Sequence, residues 1–317
     1  MRGYPAGMNI RDDFPISPIV LGGGKFSDIS RSEEYYRLMD RYLGFGGNCI
    51  DTARVYCALL PGGDGLSETI IGNYMNLRGN RNRIRISTKG GHPPLDDMKR
   101  SRLGRKELTS DLEMSLKALG TDHADIYFLH RDDPDIDLHE LMYTLDCFVR
   151  EGKVLVLGAS NFTVKRILDA NKAAAETGCA GFEVSQIGWS LAETTPERYG
   201  DPTLCFMNET EYRGYLETGI PVMAYSPQAK GFFAADGSEP EGKFRPYDTP
   251  ENRKLRDELQ KKAGEKGVSP ALLALEHITK NQIRASAVAG VSNSSQLEEL
   301  LGAGANSHKT LSILNKR

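Results

Sequence analysis

Short apolar segments alternate with longer segments of helical periodicity along almost the whole chain. β-Branched and other apolar residues fill the short segments nearly without interruption, which is typical of strands buried on both faces of a parallel sheet. We predict eight such strands, at residues 18–24, 48–53, 83–91, 124–132, 154–161, 182–190, 221–227 and 285–291. The helices predicted between and after them cover residues 32–46, 67–75, 105–120, 137–153, 163–178, 209–218, 252–281 and 294–303.

Eight consecutive strand–helix units are compatible with two architectures, a doubly wound open sheet and a closed barrel. The units are regular over roughly 270 residues, and no linker or shift in composition divides them, which favours a closed (β/α)8 TIM barrel of the α/β class. We therefore predict a single domain over residues 1–317. In such a barrel, catalytic groups gather at the C-terminal ends of the strands.

Polar side chains stand at the C-terminal end of nearly every predicted strand. In chain order these positions are Asp51 with Tyr56 in the following loop, Lys89, His130, Ser160 and Asn161, Gln186, Tyr225 and Ser226, and Gly290 to Ser292. Taken singly, each has an ordinary explanation, with Lys89 as a solvated strand end and His130 as a structural histidine. Taken together at one end of a barrel, they predict a functional site.

Four of these residues suggest a particular chemistry. A tyrosine hydroxyl has a pKa of about 10 and donates a proton poorly at neutral pH unless neighbouring charge adjusts it. An ammonium at Lys89 would stabilise the phenolate of Tyr56, and a carboxylate at Asp51 would fix the position and charge of that ammonium. An imidazole at His130 would hydrogen-bond and orient a substrate oxygen. A carbonyl protonated at such a site also needs a hydride on carbon, which implies a redox cofactor.

Composition changes this picture mainly by exclusion. A hydrophobic content of 39% with 26% charged residues is that of a globular protein with an ample core, and a net charge of −3 offers no attraction for nucleic acid or an anionic membrane. No apolar run approaches the roughly 20 residues of a membrane span, and the start "MRGYPAGMNIRDDF" lacks a signal-peptide core, so we expect a cytoplasmic protein. The five cysteines show no CxxC pairing, so we predict neither a metal site nor a disulfide framework.

Five motifs, taken in order, resemble those of the aldo-keto reductases. They are "NCIDTARVY", "STKGG", "DIYFLHRDD", "VLGASNF" and "AYSPQAKGFF". The likeness runs from "VLGGGKF" to "QLEELLGA" and is strongest to the branch of potassium-channel β subunits and short-loop bacterial members. It implies NAD(P)(H)-dependent interconversion of a carbonyl and its alcohol, with a catalytic tetrad of Asp51, Tyr56, Lys89 and His130. In that tetrad Tyr56 is the general acid, its pKa is lowered by Lys89, and His130 orients the carbonyl.

The resemblance also implies a set of cofactor ligands. Ser160, Asn161 and Gln186 match the ligands of the nicotinamide carboxamide, although many members of this branch have Arg in place of Asn161. Tyr225 matches the aromatic residue that stacks on the nicotinamide ring. The positions along the pyrophosphate, at the adenosine end and in the first loop are Ser226, Gln228, Ala229, Lys230, Gly290, Ser292, Gln296, Glu299, Lys25 and Phe26. Leu300 replaces an Asn of the family pattern, which removes one expected adenine hydrogen bond.

The glycine-rich "LGGGKF" is not a Rossmann fingerprint, because Ser27 stands where G-x-G-x-x-G needs its third glycine. By the habit of the family we expect NADP(H) rather than NAD(H). The cations that many members carry after the last strand are replaced by Gly290 and Gln296. Lys243 and Arg245, in the loop after the seventh strand, could instead reach the 2′-phosphate.

The substrate is expected to be a small carbonyl compound or alcohol. The loop "RDDPDID" and the segment after the last helix are short, which favours an open, polar mouth suited to sugars, cyclitols or small polar aldehydes. Trp189, Tyr56, Phe232 and Phe233 are equally compatible with stacking surfaces for a sugar and with an apolar lid. Two alternatives remain at this point: a non-catalytic nucleotide-binding partner protein, and a Schiff-base aldolase with Lys89 as nucleophile. Oligomeric state has no signal in the sequence.

Overall fold

The computed structural model describes residues 7–240 and 242–305. It begins with a short antiparallel pair, β1 (Met8–Asn9) and β2 (Pro15–Ile16), which the hydrophobic pattern did not predict. Eight parallel strands then close into a barrel, which confirms the predicted architecture. These strands are β3 (Ile19–Gly22), β4 (Cys49–Asp51), β5 (Arg85–Gly90), β6 (Ala124–Leu129), β7 (Val154–Ser160), β8 (Val184–Gly188), β9 (Val222–Tyr225) and β10 (Ala285–Ala289).

The helices alternate with these strands and cover the outside of the barrel. They are α1 (Ser32–Gly44), α2 (Leu66–Arg78), α3 (Arg105–Leu119), α4 (Leu138–Arg150), α5 (Val164–Thr177), α6 (Pro196–Tyr199), α7 (Glu209–Thr218), α8 (Pro250–Lys266), α9 (Pro270–Thr279) and α10 (Ser294–Ala305). The region predicted as helical over 252–281 is thus two helices, because Gly267 ends α8 with a φ of 63° and the Ser269 side chain caps α9. The short helix α6 was not predicted.

The β1–β2 pair closes the N-terminal end of the barrel. Met8, Phe14 and Ile16 pack in one apolar cluster with the inward-facing side chains near the starts of the strands, such as Val20 and Ile126. Burial of these residues stabilises the hairpin by the hydrophobic effect and leaves only the opposite end of the barrel open. The C-terminal ends of the strands therefore form the mouth.

The strands are buried on both faces, as their continuous apolar sequence predicts. All six residues of β6 are buried, between the barrel interior on one side and the helices on the other. Close packing also explains Gly158 on β7, where a Cβ atom would lie 2.4 Å from the ring of Phe128. No helix in the described part of the chain is both long enough and apolar enough to cross a bilayer.

Candidate active site

Three neighbouring strands bring the predicted tetrad together at the barrel mouth. Asp51 is the last residue of β4, Lys89 lies near the end of β5, and His130 directly follows β6. The parallel register pairs Asp51 with Ser87 and Lys89 with Phe128, so the three ends lie side by side. Tyr56 reaches the same place from the turn after β4.

The Lys89 ammonium is the centre of the site. Its Nζ donates to Asp51 Oδ2 at 2.7 Å, to the Thr52 carbonyl at 2.8 Å and to the Tyr56 hydroxyl at 3.3 Å. These three acceptors match the three N–H groups of an ammonium. Burial lowers the pKa of Lys89, but the Asp51 carboxylate and Tyr56 more than offset it, so the net pKa lies above its ordinary value. Lys89 is therefore a fixed positive charge beside the tyrosine hydroxyl.

Asp51 is held as firmly as the lysine that it binds. Its Oδ1 accepts from the Ser87 hydroxyl at 2.6 Å and from Gln186 Nε2 at 2.9 Å, while Oδ2 takes the Lys89 ammonium. The carboxylate is buried, so these charge-assisted hydrogen bonds replace the water that it lost. Gln186, a predicted cofactor ligand, thus also belongs to the hydrogen-bond network of the predicted tetrad.

Tyr56 is half-buried, and its hydroxyl faces the Lys89 ammonium. Burial raises the pKa of Tyr56, and the nearby Lys89 charge lowers it by a smaller amount, so that the net pKa lies above 10. The resemblance implied a phenol with a lowered pKa. Lys89 does act in that direction, but desolvation outweighs it in this structure. A phenol with this pKa carries its proton at neutral pH.

His130 lies beside Tyr56, with the two rings edge to face and their centroids 6.0 Å apart. Burial holds the pKa of His130 well below its usual range, and the positive charges of Arg131 and Lys89 act in the same direction. Its Nδ1 is buried and has no hydrogen-bond partner among the described residues. A neutral imidazole in this position can donate or accept a hydrogen bond without adding charge.

Sequence reasoning missed His92, which follows β5. Its ring packs edge to face on His130, with centroids 4.8 Å apart, and its Nδ1–H donates to the Pro93 carbonyl at 2.6 Å. That hydrogen bond fixes the tautomer of His92 with Nε2 unprotonated. Burial lowers its pKa, so both imidazoles of the pair are neutral near pH 7. Its place three residues after Lys89 was the only signal in the sequence.

Ser160, Asn161 and Gln186 meet where β7 and β8 end. The Asn161 side chain is fully engaged, because Nδ2 donates to the His130 carbonyl at 3.0 Å and Oδ1 accepts from the Tyr225 hydroxyl at 2.8 Å. Asn161 also has a φ of 62°, a left-handed conformation that Asn tolerates better than most residues. A ligand could reach Asn161 only by exchanging one of these hydrogen bonds.

The loop after β9 has an unusual backbone. Ser226, Ala229 and Lys230 have φ values of 51°, 49° and 57°, and Gly231 follows with 92°. Two N–H groups of this loop are used within it, since Ala229 N donates to the Ser226 carbonyl and Gly231 N donates to the Gln228 carbonyl, both at 2.9 Å. Gln228 is half-buried in this loop, and the ring of Tyr225 is half-buried at its start. The predicted pyrophosphate loop is therefore a tight turn closed by its own hydrogen bonds, with left-handed residues that carry backbone strain.

The predicted adenosine-end residues lie at the mouth beside β3 and β10. Lys25 Nζ donates to the Ser292 hydroxyl at 2.8 Å, and Ser292 N donates to Gln296 Oε1 at 2.9 Å. Gly290 and Glu299, which are close to Ser292 and Gln296 in the sequence, are also exposed. Phe26 differs from the expectation, because its side chain is buried against Tyr35, 4.9 Å between centroids. Only its backbone remains for a cofactor.

A basic concavity of about 540 Å³ opens between the loop after β9 and α8. Its cationic lining residues are Arg198, Lys243, Arg245, Arg253 and Arg256. Arg253 is paired with Asp248 at 2.6 Å, but Lys243 and Arg245 form no ion pair with any described carboxylate. Burial and the positive charge of Lys243 lower the pKa of Lys25, so the two ammonium groups are close enough to repel each other. Of these five lining cations the sequence had indicated only Lys243 and Arg245.

The proposed aromatic surfaces are not at the mouth, with one exception. Trp189 is buried against Tyr212 and His277, and Phe232 and Phe233 lie in a second apolar cluster under α8 and α9. Of the four candidates, only Tyr56 faces the site. The stacking interpretation of Trp189, Phe232 and Phe233 is therefore wrong, because their rings fill core positions.

Sequence comparisons agree with this architecture. The model of the Aldo/keto reductase family matches residues 18–313. The chain is 30% identical over 293 residues to a norsolorinic acid reductase from Aspergillus flavus, covering 88% of this chain and 71% of the relative. It is also 33% identical over 197 residues to an aryl-alcohol dehydrogenase from Pestalotiopsis microspora, covering 58% of this chain and 49% of the relative.

A third relative is an aryl-alcohol dehydrogenase from Phanerodontia chrysosporium whose name gives NADP(+) as its cofactor. It is 30% identical over 200 residues, which cover 58% of this chain and 50% of the relative. The matched regions thus span about half the length of both aryl-alcohol dehydrogenases. Because the family model covers nearly the whole chain, this protein belongs to the aldo/keto reductase family.

Proposed function

We propose that the protein is an NAD(P)(H)-dependent oxidoreductase that interconverts a carbonyl compound and its alcohol, with Tyr56 as the general acid and base. The observation that carries this proposal is the Lys89 ammonium, which bonds to the Asp51 carboxylate and to the Tyr56 hydroxyl at the barrel mouth. Membership of the aldo/keto reductase family supports the same reaction class.

In the direction of reduction, Tyr56 donates its proton to the carbonyl oxygen of the substrate. The phenolate that remains is stabilised by the Lys89 ammonium at 3.3 Å, and Asp51 keeps that ammonium in place. His130, neutral because it is buried, hydrogen-bonds the same carbonyl oxygen and orients it toward the tyrosine. In oxidation, the phenolate takes the proton from the alcohol.

The residues present fit a dinucleotide across the mouth. When bound, a nicotinamide would supply the hydride in reduction and accept it in oxidation. Ser160 and Gln186 would bind the carboxamide, with Asn161 beside them, and Tyr225 would stack on the ring. The loop Ser226 to Lys230, which the resemblance assigns to the pyrophosphate, would bind it with the exposed side chain of Lys230 as its cation.

The adenosine end would bind through Lys25, Gly290, Ser292, Gln296 and Glu299, with the backbone of Phe26 nearby. We further propose that NADP(H) is preferred over NAD(H). Burial and then the charge of Lys243 lower the pKa of Lys25, and a bound 2′-phosphate would relieve the repulsion between the two ammonium groups. The NADP(+) in the name of the Phanerodontia relative supports this choice.

The substrate is proposed to be a small carbonyl compound. Short loops around the mouth favour sugars and cyclitols, while the names of the relatives include aryl alcohols and norsolorinic acid. A substrate panel should therefore contain sugar aldehydes, inososes and benzaldehydes side by side.

Two other functions are less compatible with the site. A Schiff-base aldolase needs a neutral lysine, whereas all three N–H groups of Lys89 are engaged and its pKa is raised. A partner protein that only binds nucleotide would not require the complete tetrad, and the channel β subunits of the resemblance have Asn where this chain has His130. The two alternatives predict different results for nucleotide binding, carbonyl turnover and borohydride trapping.

The test begins with fluorescence titration of NADPH and NADH, followed by the carbonyl panel monitored at the nicotinamide absorbance. We expect binding of NADPH and oxidation of it by at least one carbonyl. Failure to bind either nucleotide would contradict the proposal, and binding without turnover would favour the partner-protein function. A borohydride-trapped adduct on Lys89 would instead support the aldolase.

A further inference from the structure

The main-chain carbonyl of His130 accepts two side-chain hydrogen bonds. Arg131 Nη1 donates to it at 2.9 Å, and Asn161 Nδ2 donates to it at 3.0 Å. His130 N in turn donates to the Gly90 carbonyl at 2.8 Å. The backbone at the proposed catalytic histidine is therefore held from both sides, although it lies just beyond the end of β6.

Arg131 uses the rest of its guanidinium on the loop that follows β8. Its Nε donates to Thr203 Oγ1 at 2.9 Å, and its Nη2 lies 3.3 Å from Asp201 Oδ2. Thr203 also donates to Asp201 Oδ1, through N at 3.0 Å and Oγ1 at 2.5 Å. The side chain of Arg131 is only 10% exposed, so these contacts are made away from bulk water. A single residue thus joins the end of β6 to segment 201–203.

Asn161 makes a parallel connection. Its Oδ1 accepts from Cys205 N at 3.0 Å as well as from Tyr225 Oη. Arg131 and Asn161 therefore both connect the His130 carbonyl to neighbouring parts of the same loop. We call this arrangement the His130 clamp: Arg131, Asn161, Asp201, Thr203 and the His130 carbonyl.

The charge of Arg131 acts on the whole mouth. It acts to lower the pKa of Tyr56, His92, His130 and Tyr225, which lie at or just after the C-terminal ends of four strands, although burial keeps the net pKa of both tyrosines raised. Around His130 the other charged or titratable groups are Lys89, His92 and Tyr56. Burial first, and then the charges of Arg131 and Lys89, lower the pKa of His130, so His130 is neutral where it is proposed to orient a substrate oxygen.

We propose that Arg131 is a positioning residue of the reaction, which fixes His130 and ties segment 201–205 to it through the His130 clamp. This inference rests on the proposed function of His130. The geometry requires arginine in particular, since a planar guanidinium reaches a carbonyl, a hydroxyl and a carboxylate at once, whereas lysine has one small ammonium. Asn161 is the second support of the clamp.

Two substitutions separate the geometry of Arg131 from its charge. Arg131→Lys keeps the charge but cannot span all three acceptors, so we expect kcat to fall about tenfold with little change in nucleotide affinity. Arg131→Met loses both the charge and the hydrogen bonds, and we expect kcat to fall roughly 100-fold. The imidazole pKa of His130, followed by NMR and assigned with His130→Asn, should rise in Arg131→Met and stay unchanged in Arg131→Lys.

Arg166→Met is the matched control. Arg166 is also mostly buried and bonds to a carboxylate and a carbonyl in the same loop, those of Asp132 and Asp133, but not to His130. We expect its kcat to stay within about twofold of wild type. Should Arg131→Met not fold, Asp201→Asn removes the ion pair with almost no change in shape, and kcat should fall severalfold.

Wild-type kcat in Arg131→Lys would overturn the clamp, as would equal losses in Arg131→Met and Arg166→Met. Wild-type kcat in Asp201→Asn would also count against it. The NMR titration does not depend on turnover. If the wild type binds nucleotide but reduces no carbonyl, the proposed function fails. His130 imidazole signals that keep their wild-type chemical shifts in Arg131→Lys still decide against the clamp, and an unshifted His130 pKa in Arg131→Met decides against an effect of the Arg131 charge.

Discussion

The ammonium of Lys89 donates a hydrogen bond of 3.3 Å to the hydroxyl of Tyr56. This contact joins the end of β5 to the turn after β4 and places a buried cation at the oxygen of the tyrosine. Burial keeps the pKa of Tyr56 above its ordinary value while Lys89 prepares the site for a phenolate. The hydroxyl is thus protonated at neutral pH, and in the proposed reaction the same cation would stabilise the phenolate that forms.

Removal of that hydroxyl should abolish turnover. In Tyr56→Phe we expect kcat to fall by about 10²- to 10⁴-fold, the range of a lost general acid, with NADPH affinity nearly unchanged. Steady-state kinetics and fluorescence titration measure the two effects. Tyr143→Phe, an exposed position on α4, is the control and should behave as wild type. A large loss of nucleotide affinity in Tyr56→Phe would mean that the ring is structural.

Substitution of Asp51 should affect stability and catalysis together. Asp51→Asn leaves the buried Lys89 charge without its carboxylate, so the free energy of unfolding should decrease by about 3–5 kcal/mol. We also expect kcat to fall, because Lys89 is no longer held beside Tyr56. Urea denaturation and steady-state kinetics measure these quantities.

Asp125→Asn is the matched control for Asp51→Asn. Asp125 is also buried at a barrel strand and paired with an arginine, Arg81, at 2.8 Å, but it lies near the start of β6 at the closed end. We expect a comparable loss of stability with kcat unchanged in the folded enzyme. If both variants lose kcat equally, the effect of Asp51 is not specific to the site.

Acid should destabilise the protein through its buried histidines. The folded-state pKa of His130 lies well below the unfolded value of about 6.5, so the unfolded state binds more protons between those two values. The free energy of unfolding therefore falls as the pH drops below about 6.5, by at most about 1.4 kcal/mol per pH unit for this group. His92 and His277, whose pKa values are also lowered by burial, add to the same slope.

His130→Asn should remove one part of this pH dependence. Urea denaturation at about pH 7.5 and about pH 5 should show a smaller difference in the variant than in the wild type. His139→Asn, at an exposed position on α4, should leave the difference unchanged. An equal slope in His130→Asn and the wild type would contradict a buried, neutral His130.

Cofactor preference should depend on the loop after β9. In the double variant Lys243→Met/Arg245→Met, NADPH affinity should fall about 10- to 100-fold, because a phosphate loses two cationic donors, while NADH affinity stays the same. Fluorescence titrations with both nucleotides measure this. Lys165→Met, on α5 and remote in sequence, is the control. Equal losses of affinity for NADPH and NADH would show that these residues do not bind the 2′-phosphate.

The hydrophobic pattern alone determined the barrel and located all eight of its strands, although each predicted strand runs one to three residues past its observed C-terminal end. Each barrel strand is apolar because it is buried on both faces, and this pattern is local in the sequence. All eight barrel strands, and the positions of Asp51, Lys89 and His130 at strand ends, could therefore be predicted from the sequence. Because the barrel strands are parallel, the polar residues at their C-terminal ends lie together at one mouth. Their roles, the single-domain boundary and the cytoplasmic location remain predictions.

Only the tertiary structure decided how these side chains are used. Phe26 and Trp189 turn into the core, and burial reverses the expected direction of the Tyr56 pKa. The clamp of Arg131 on the His130 carbonyl joins residues about 70 positions apart, from Arg131 to Asp201. Burial and long-range hydrogen bonds depend on which elements pack against each other, and periodicity along one chain carries no information on that.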